Sequence, residues 1–144
     1  TPPTDNREVW TDAARRSFEE LTGMTGDPRL FAVETLSYPF QILDDVINDS
    51  NVSVCLDIGH LIMTGQSLQR HYDRYLDKTR VVHIHGIIDG HDHACLSGLD
   101  NEVIDTLLSR LTETSAEDRV VTIEVFSESD LDCSLLRLER YRHD

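Results

Sequence analysis

Apolar positions recur along the chain in two alternating rhythms. Val9, Trp10, Ala13, Ala14, Phe18 and Leu21 fall at helical spacing, which predicts a helix over about 5–22 that Asp5 can cap. The segment Gly23-Met24-Thr25-Gly26-Asp27-Pro28 then stops it. Four short apolar runs follow, rich in Val and Ile, and each ends in a polar residue. They are Leu30-Phe31-Ala32-Val33-Glu34, Val52-Ser53-Val54-Cys55-Leu56-Asp57, Val81-Val82-His83-Ile84-His85 and Val120-Val121-Thr122-Ile123-Glu124. Nearly continuous apolar strands are buried on both faces, as in a parallel sheet covered by helices. Helices are predicted between and after them, over about 39–49 with Pro39 in the first turn, 66–77, 100–114 and 129–141.

The element order is therefore one helix followed by four βα units. A (β/α)₈ TIM barrel takes roughly 250 residues, and this chain has 144. Four βα units make half of one. An open flavodoxin-like sheet is the alternative. The length suits one domain over 1–144, and no linker or low-complexity segment divides it.

Charge narrows the range of partners. Against 13 basic residues stand 27 acidic ones, a formal net charge of −14. Such a surface repels nucleic acid and anionic membranes, although one bound metal reverses the field locally. No run of about 18 apolar residues is present to form a membrane-spanning helix. The first residues, Thr1-Pro2-Pro3-Thr4-Asp5, lack the basic flank and apolar run of a signal peptide and lack an initiator Met. Three widely spaced cysteines, Cys55, Cys95 and Cys133, argue against a disulfide framework and make a reducing cytoplasm the default compartment.

The chemistry concentrates at the strand ends. Glu34, Asp57, His85 and Glu124 close the four predicted strands, and in parallel α/β folds that rim carries the active site. Carboxylates and imidazole converging there supply ligands for a divalent metal. Oxygen-rich ligation suits Mn²⁺, and added histidine favours Zn²⁺. In Asp57-Ile58-Gly59-His60 the glycine permits a tight turn that returns His60 to the same rim. His83 and His85 share a face, so one of the two can coordinate and the other support it; His85 is taken as the ligand and His83 as a satisfied interior histidine. The loop Asp89-Gly90-His91-Asp92-His93 adds further ligands, and four of the seven histidines lie between 83 and 93. Cys95 in this loop is a further candidate ligand. Cys55 is expected in the core, facing away from Asp57. Tyr38 and Phe126 follow ligand strands and are candidates to line the pocket, with packing the simpler expectation, and Trp10 is expected to anchor the first helix.

Glu–Asp–His–Glu on successive strand ends, with Asp-x-x-His on the second, resembles the C-terminal half of the xylose-isomerase-like TIM barrels. Those include sugar-phosphate isomerases and epimerases and zinc AP endonucleases. Within that group, four segments resemble the cobamide-remodelling phosphodiesterases (CbiR). They are Glu34-Thr35-Leu36-Ser37-Tyr38-Pro39-Phe40, Ser53 to Leu61, His83-Ile84-His85-Gly86 with Gly90-His91-Asp92-His93, and Thr122 to Ser127. Thr35 stands where much of that family would carry Asn. The resemblance implies a fold whose other half comes from an N-terminal half-barrel or from a second copy of the chain.

The resemblance also implies hydrolysis of the nucleotide-loop phosphodiester of a cobamide, giving cobinamide phosphate and a lower-base riboside. Glu34, Asp57, His85 and Glu124 would hold a primary ion, and His60, His91 and His93 a second. Hydroxide formed at the metal would attack phosphorus, with Asp92 or His93 moving the proton. A second reading is isomerisation or epimerisation of a sugar or sugar phosphate, with Glu34 and Glu124 as ligands and proton shuttles. No Arg lies between Arg80 and Arg110 to hold substrate oxygens, which favours hydrolysis. A third reading is an inactive half-barrel or assembly unit. An AP-endonuclease role is least favoured, since basic residues to hold DNA are lacking.

Overall fold

The computed structural model describes residues 6–113 and 119–141. Helix α1 (Arg7–Thr25) leads, and Asp5, its expected cap, lies outside the described residues. The helix runs through Gly23 and stops only where Gly26 turns left-handed at φ 78°. Trp10, Ala14 and Phe18 give it an apolar stripe against the core.

Four strands, β1 (Ala32–Glu34), β2 (Ser53–Asp57), β3 (Thr79–Ile84) and β6 (Val120–Ile123), form one parallel sheet in the order β1-β2-β3-β6. All four predicted strands are present. Helices α2 (Asp44–Ser50), α4 (Leu68–Tyr75), α5 (Asn101–Glu113) and α6 (Glu128–Leu138) fall where helices were expected. The second differs at its start, where Pro39 precedes a 3₁₀ turn over Phe40–Leu43. Val54, Leu56, Val82 and Ile84 point to the helix side and are buried in the core. That burial is the main stabilising term, at about 25 cal/mol per Å² of apolar surface.

Two elements differ from the sequence reading. Asp57-Ile58-Gly59-His60 is not a tight turn. It opens a short helix, α3 (Ile58–Met63), with Asp57 as its N-cap. Residues 86–94 are not an open loop but a hairpin of β4 (Gly86–Ile88) and β5 (His91–Ala94). The Asp89-Gly90 turn supplies the positive φ values that such a connection needs.

The opposite face of the sheet carries the polar set. Strand register aligns Glu34 with Cys55, Asp57 with His83, and His83 with Thr122. Alternation therefore keeps Glu34, Cys55, Asp57 and His83 on one face. Glu124 continues it, since its N–H donates to the Ile84 carbonyl at 2.9 Å. The edge strand β6 is largely exposed, with Val120 and Val121 open to solvent. The fold is an α/β arrangement of a four-stranded parallel sheet with helices and a two-stranded hairpin beside it. Among the described residues no helix is long and apolar enough to cross a membrane.

Candidate metal centre

Glu34, Asp57, His83 and Glu124 each place a donor atom within 4.8 Å of the others. Nδ1 of His83 lies 2.8 Å from Oε1 of Glu34 and 3.0 Å from Oε2 of Glu124. These two carboxylates come from opposite edges of the sheet, and the central strands supply Asp57 and His83. The set therefore contains His83, where the sequence placed His85.

His85 sits one step away with a different partner. Its ring is fully buried, and Nε2 lies 3.1 Å from Oδ1 of Asp57. That same oxygen accepts the N–H of His60 at 2.8 Å, the capping bond of α3. Thr35 is buried and its hydroxyl accepts the N–H of Asp57 at 2.8 Å. The Thr found here thus fixes the backbone of Asp57. Burial alone would push the Asp57 carboxyl up, but hydrogen bonds from His85 and the His60 N–H hold it below the usual range.

His60, His85 and His93 form a second group able to hold a metal. The His85 and His93 rings stack at 4.3 Å, and Phe126 stacks on His93 from outside at 4.4 Å. Asp92 lies 3.6 Å from Nε2 of His60 and 3.3 Å from Nδ1 of His93. His91 is exposed and joins neither group. Phe126, expected to pack, is 79% exposed over this cluster. Tyr38 does pack, with its hydroxyl donating to the Glu34 carbonyl at 3.2 Å.

All three cysteines need correction. Cys95 and Cys133 are joined in a disulfide, so Cys95 has no free thiol to offer a metal. The cysteine count therefore no longer points to a reducing compartment. Cys55 is buried, as expected, but on the same face as Asp57. Its sulfur lies within 4.8 Å of donor atoms of Glu34 and His83. Burial and the charges of Glu34, Asp57 and Glu124 push its thiol up to about 12. The two-residue step from 55 to 57 was the signal for this placement.

The donor set fits a divalent cation. Oδ2 of Asp57 and Oε2 of Glu124 are buried and accept no hydrogen bond within the protein. Their nearest polar neighbours are imidazole nitrogens, Nδ1 of His60 at 3.3 Å from Oδ2 of Asp57 and Nδ1 of His83 at 3.0 Å from Oε2 of Glu124, and buried oxygens so placed are costly without a cation to share. Carboxylate and imidazole donors together suit Mn²⁺ or Zn²⁺.

No protein-family model matches the chain, and no curated protein sequence matches it. Solved structures do. One is the 3-keto-D-glucoside 4-epimerase YcjR from E. coli, with a TM-score of 0.67 at 20% identity over 97% of this chain. Another is a sugar phosphate isomerase/epimerase from Parabacteroides distasonis, with a TM-score of 0.59 at 17% identity over 90%. The chain spans only 57% and 54% of those two proteins. At these identities the likeness is one of fold, and it places this sheet and its helices as about half of such a barrel.

Proposed function

We propose that the protein belongs to a divalent-metal isomerase or epimerase acting on a sugar or sugar phosphate. A preceding half-barrel or a second copy of the chain would complete the ring. The observation that carries this reading is the convergence of Glu34 and Glu124, from the two sheet edges, on Nδ1 of His83. The similarity to two sugar-transforming enzymes supports it.

Glu34, Asp57, His83 and Glu124 would hold the ion. A divalent cation bound there supplies polarisation of a substrate carbonyl. Glu34 and Glu124 then flank the adjacent carbon. In isomerisation one carboxylate would take the proton from that carbon and return it to the neighbouring carbon; in epimerisation the other, entering as the carboxylic acid, would give its own proton to the opposite face. Asp57 stays ionised and fixed by Thr35, His60 and His85, so it serves as an anchor.

The test is deuterium exchange. Metal-loaded protein is incubated in D₂O with ketoses and ketose phosphates, and NMR follows the hydrogen next to the carbonyl. Exchange with an epimeric or isomeric product, lost in Glu124→Gln, is expected. Absence of both across the panel overturns the reading.

One observation favours the phosphodiesterase reading instead. The His60, His85 and His93 group beside Asp92 offers a second donor set that a one-ion isomerase does not need. In that reading the two donor sets would hold a pair of ions at the scissile phosphodiester of a cobamide. Release of cobinamide phosphate by the same preparation would select it.

A further inference from the structure

We infer that Cys55 is a conditional metal ligand, which makes this site selective for a borderline-soft divalent cation such as Zn²⁺ or Co²⁺ over Mn²⁺. The inference rests on the metal site of the proposed function and not on its reaction. Two donor sets overlap. The first is Glu34, Asp57, His83 and Glu124, and the second is Glu34, Cys55 and His83. Glu34 and His83 are common to both, so an ion held by this pair has a choice of remaining partners. Towards the strand ends are hard carboxylate oxygens. One pleat deeper on β2 is the sulfur of Cys55, buried at 5% exposure and free of any disulfide.

A second observation shows that this locus is built for a ligand. Asp57, a member of the first set, is fully buried, and its Oδ2 accepts no hydrogen bond, with Nδ1 of His60 standing 3.3 Å away. The sulfur needs no change of fold to take part, since register already places Cys55 beside Glu34. Ligand softness decides the outcome. Carboxylate oxygens suit Mn²⁺ and Mg²⁺, whereas thiolate draws Zn²⁺ and Co²⁺. When sulfur binds, the Cys55 S–H bond breaks, its proton leaves to solvent, and the electron pair forms the metal–sulfur bond. A serine at this position keeps the size and removes the soft donor.

The experiment is Co²⁺ substitution of the protein and of Cys55→Ser, read by absorption spectroscopy, with Zn²⁺ and Mn²⁺ titrations beside it. A thiolate-to-cobalt charge-transfer band in the near ultraviolet is expected in the wild type and absent in Cys55→Ser. Zn²⁺ affinity should fall by at least about tenfold in the variant, the lower end of what even an outer partner of a metal site costs. Mn²⁺ affinity should stay unchanged. Bound Co²⁺ with no such band, or a band that survives in Cys55→Ser, overturns the thiolate and leaves the carboxylate site standing. No Co²⁺ binding at all overturns both the inference and the metal site. A Cys55→Ala variant that keeps the wild-type circular dichroism guards against reading misfolding as a lost ligand.

Discussion

The backbone N–H of His93 donates to Nδ1 of His85 at 2.9 Å, from a residue whose own φ of 53° lies in the left-handed region. A non-glycine residue held there costs about 1–3 kcal/mol and persists only where its surroundings fix it. Here the stack of His85, His93 and Phe126 does so. The carbonyl of Gly86 is farther from the same nitrogen, at 3.3 Å. Burial lowers the proton affinity of His85, but the Asp57 carboxylate raises it, with a net upward shift. Above that pKa the ring is neutral, Nδ1 accepts from His93, and Nε2 donates to Asp57.

His85 is on this view a positioning residue for Asp57, and His83 is the imidazole facing the carboxylates. Nitrogen NMR of the metal-free protein at mildly alkaline pH should show a bare Nδ1 and a protonated Nε2 on His85. The opposite tautomer would sink the assignment. His85→Ala should lower Mn²⁺ affinity by about 10–100-fold, as loss of an outer partner does. His83→Ala should remove measurable binding. Calorimetric titration distinguishes them, and the reverse order would make His85 the ligand.

Gly59 is tied to the same ring. A Cβ built on Gly59 overlaps the His85 imidazole. Within a helix alanine otherwise gains up to about 1 kcal/mol over glycine, less in the first turn where Gly59 lies, so the sign of the substitution is informative. Gly59→Ala should be net destabilising by about 1–3 kcal/mol, the usual cost of overpacking, and should weaken metal binding as His85 shifts. Urea denaturation reads the first effect. A variant more stable than the wild type would mean that the imidazole moves freely.

Metal addition should stabilise the fold. With free Mn²⁺ at 100 times its dissociation constant the gain is about 2.7 kcal/mol, seen as a rise in melting temperature that a chelator reverses. Asp57→Asn and Glu124→Gln should lose that rise. His91→Ala should keep it, because His91 is exposed and belongs to neither donor group. Loss of the shift in His91→Ala would bring the hairpin turn back into the site.

Much of this centre was legible because strand ends are visible in sequence. Apolar runs ending at Glu34, Asp57 and Glu124 mark the rim, since buried parallel strands leave their polar residues at one end. The choice between His83 and His85 was not legible. Both share a face by alternation, but β3 ends at Ile84, and His85 leaves the sheet to pack on Asp57 and Gly59. The hairpin of residues 86–94 was hidden by its polar content, which reads as loop. Helix α3 was hidden because Asp57 serves as strand end, helix cap and candidate ligand together. Cysteine pairing depends on contacts across 38 residues, which local pattern does not encode.

The disulfide yields the last prediction. Cys95 follows the histidine hairpin, and Cys133 lies on α6, so the bond ties the strand carrying His93 to that helix. Two hydrogen bonds run in parallel with it. Cys95 N–H donates to Oδ1 of Asp130 at 3.1 Å, and Leu96 N–H to the buried hydroxyl of Ser134 at 3.0 Å. Closing a loop of this length removes unfolded-state entropy worth about 2–4 kcal/mol. Cys95→Ser with Cys133→Ser should lower stability by that amount in calorimetry. The docking should survive at low temperature, because the hydrogen bonds to α6 remain. Hydrogen exchange then separates the two contributions. Protection of the Leu96 N–H should fall only as far as global stability falls. A larger, local loss there would mean that the disulfide alone holds the hairpin against α6, and that His93 keeps its left-handed backbone only in the oxidised protein.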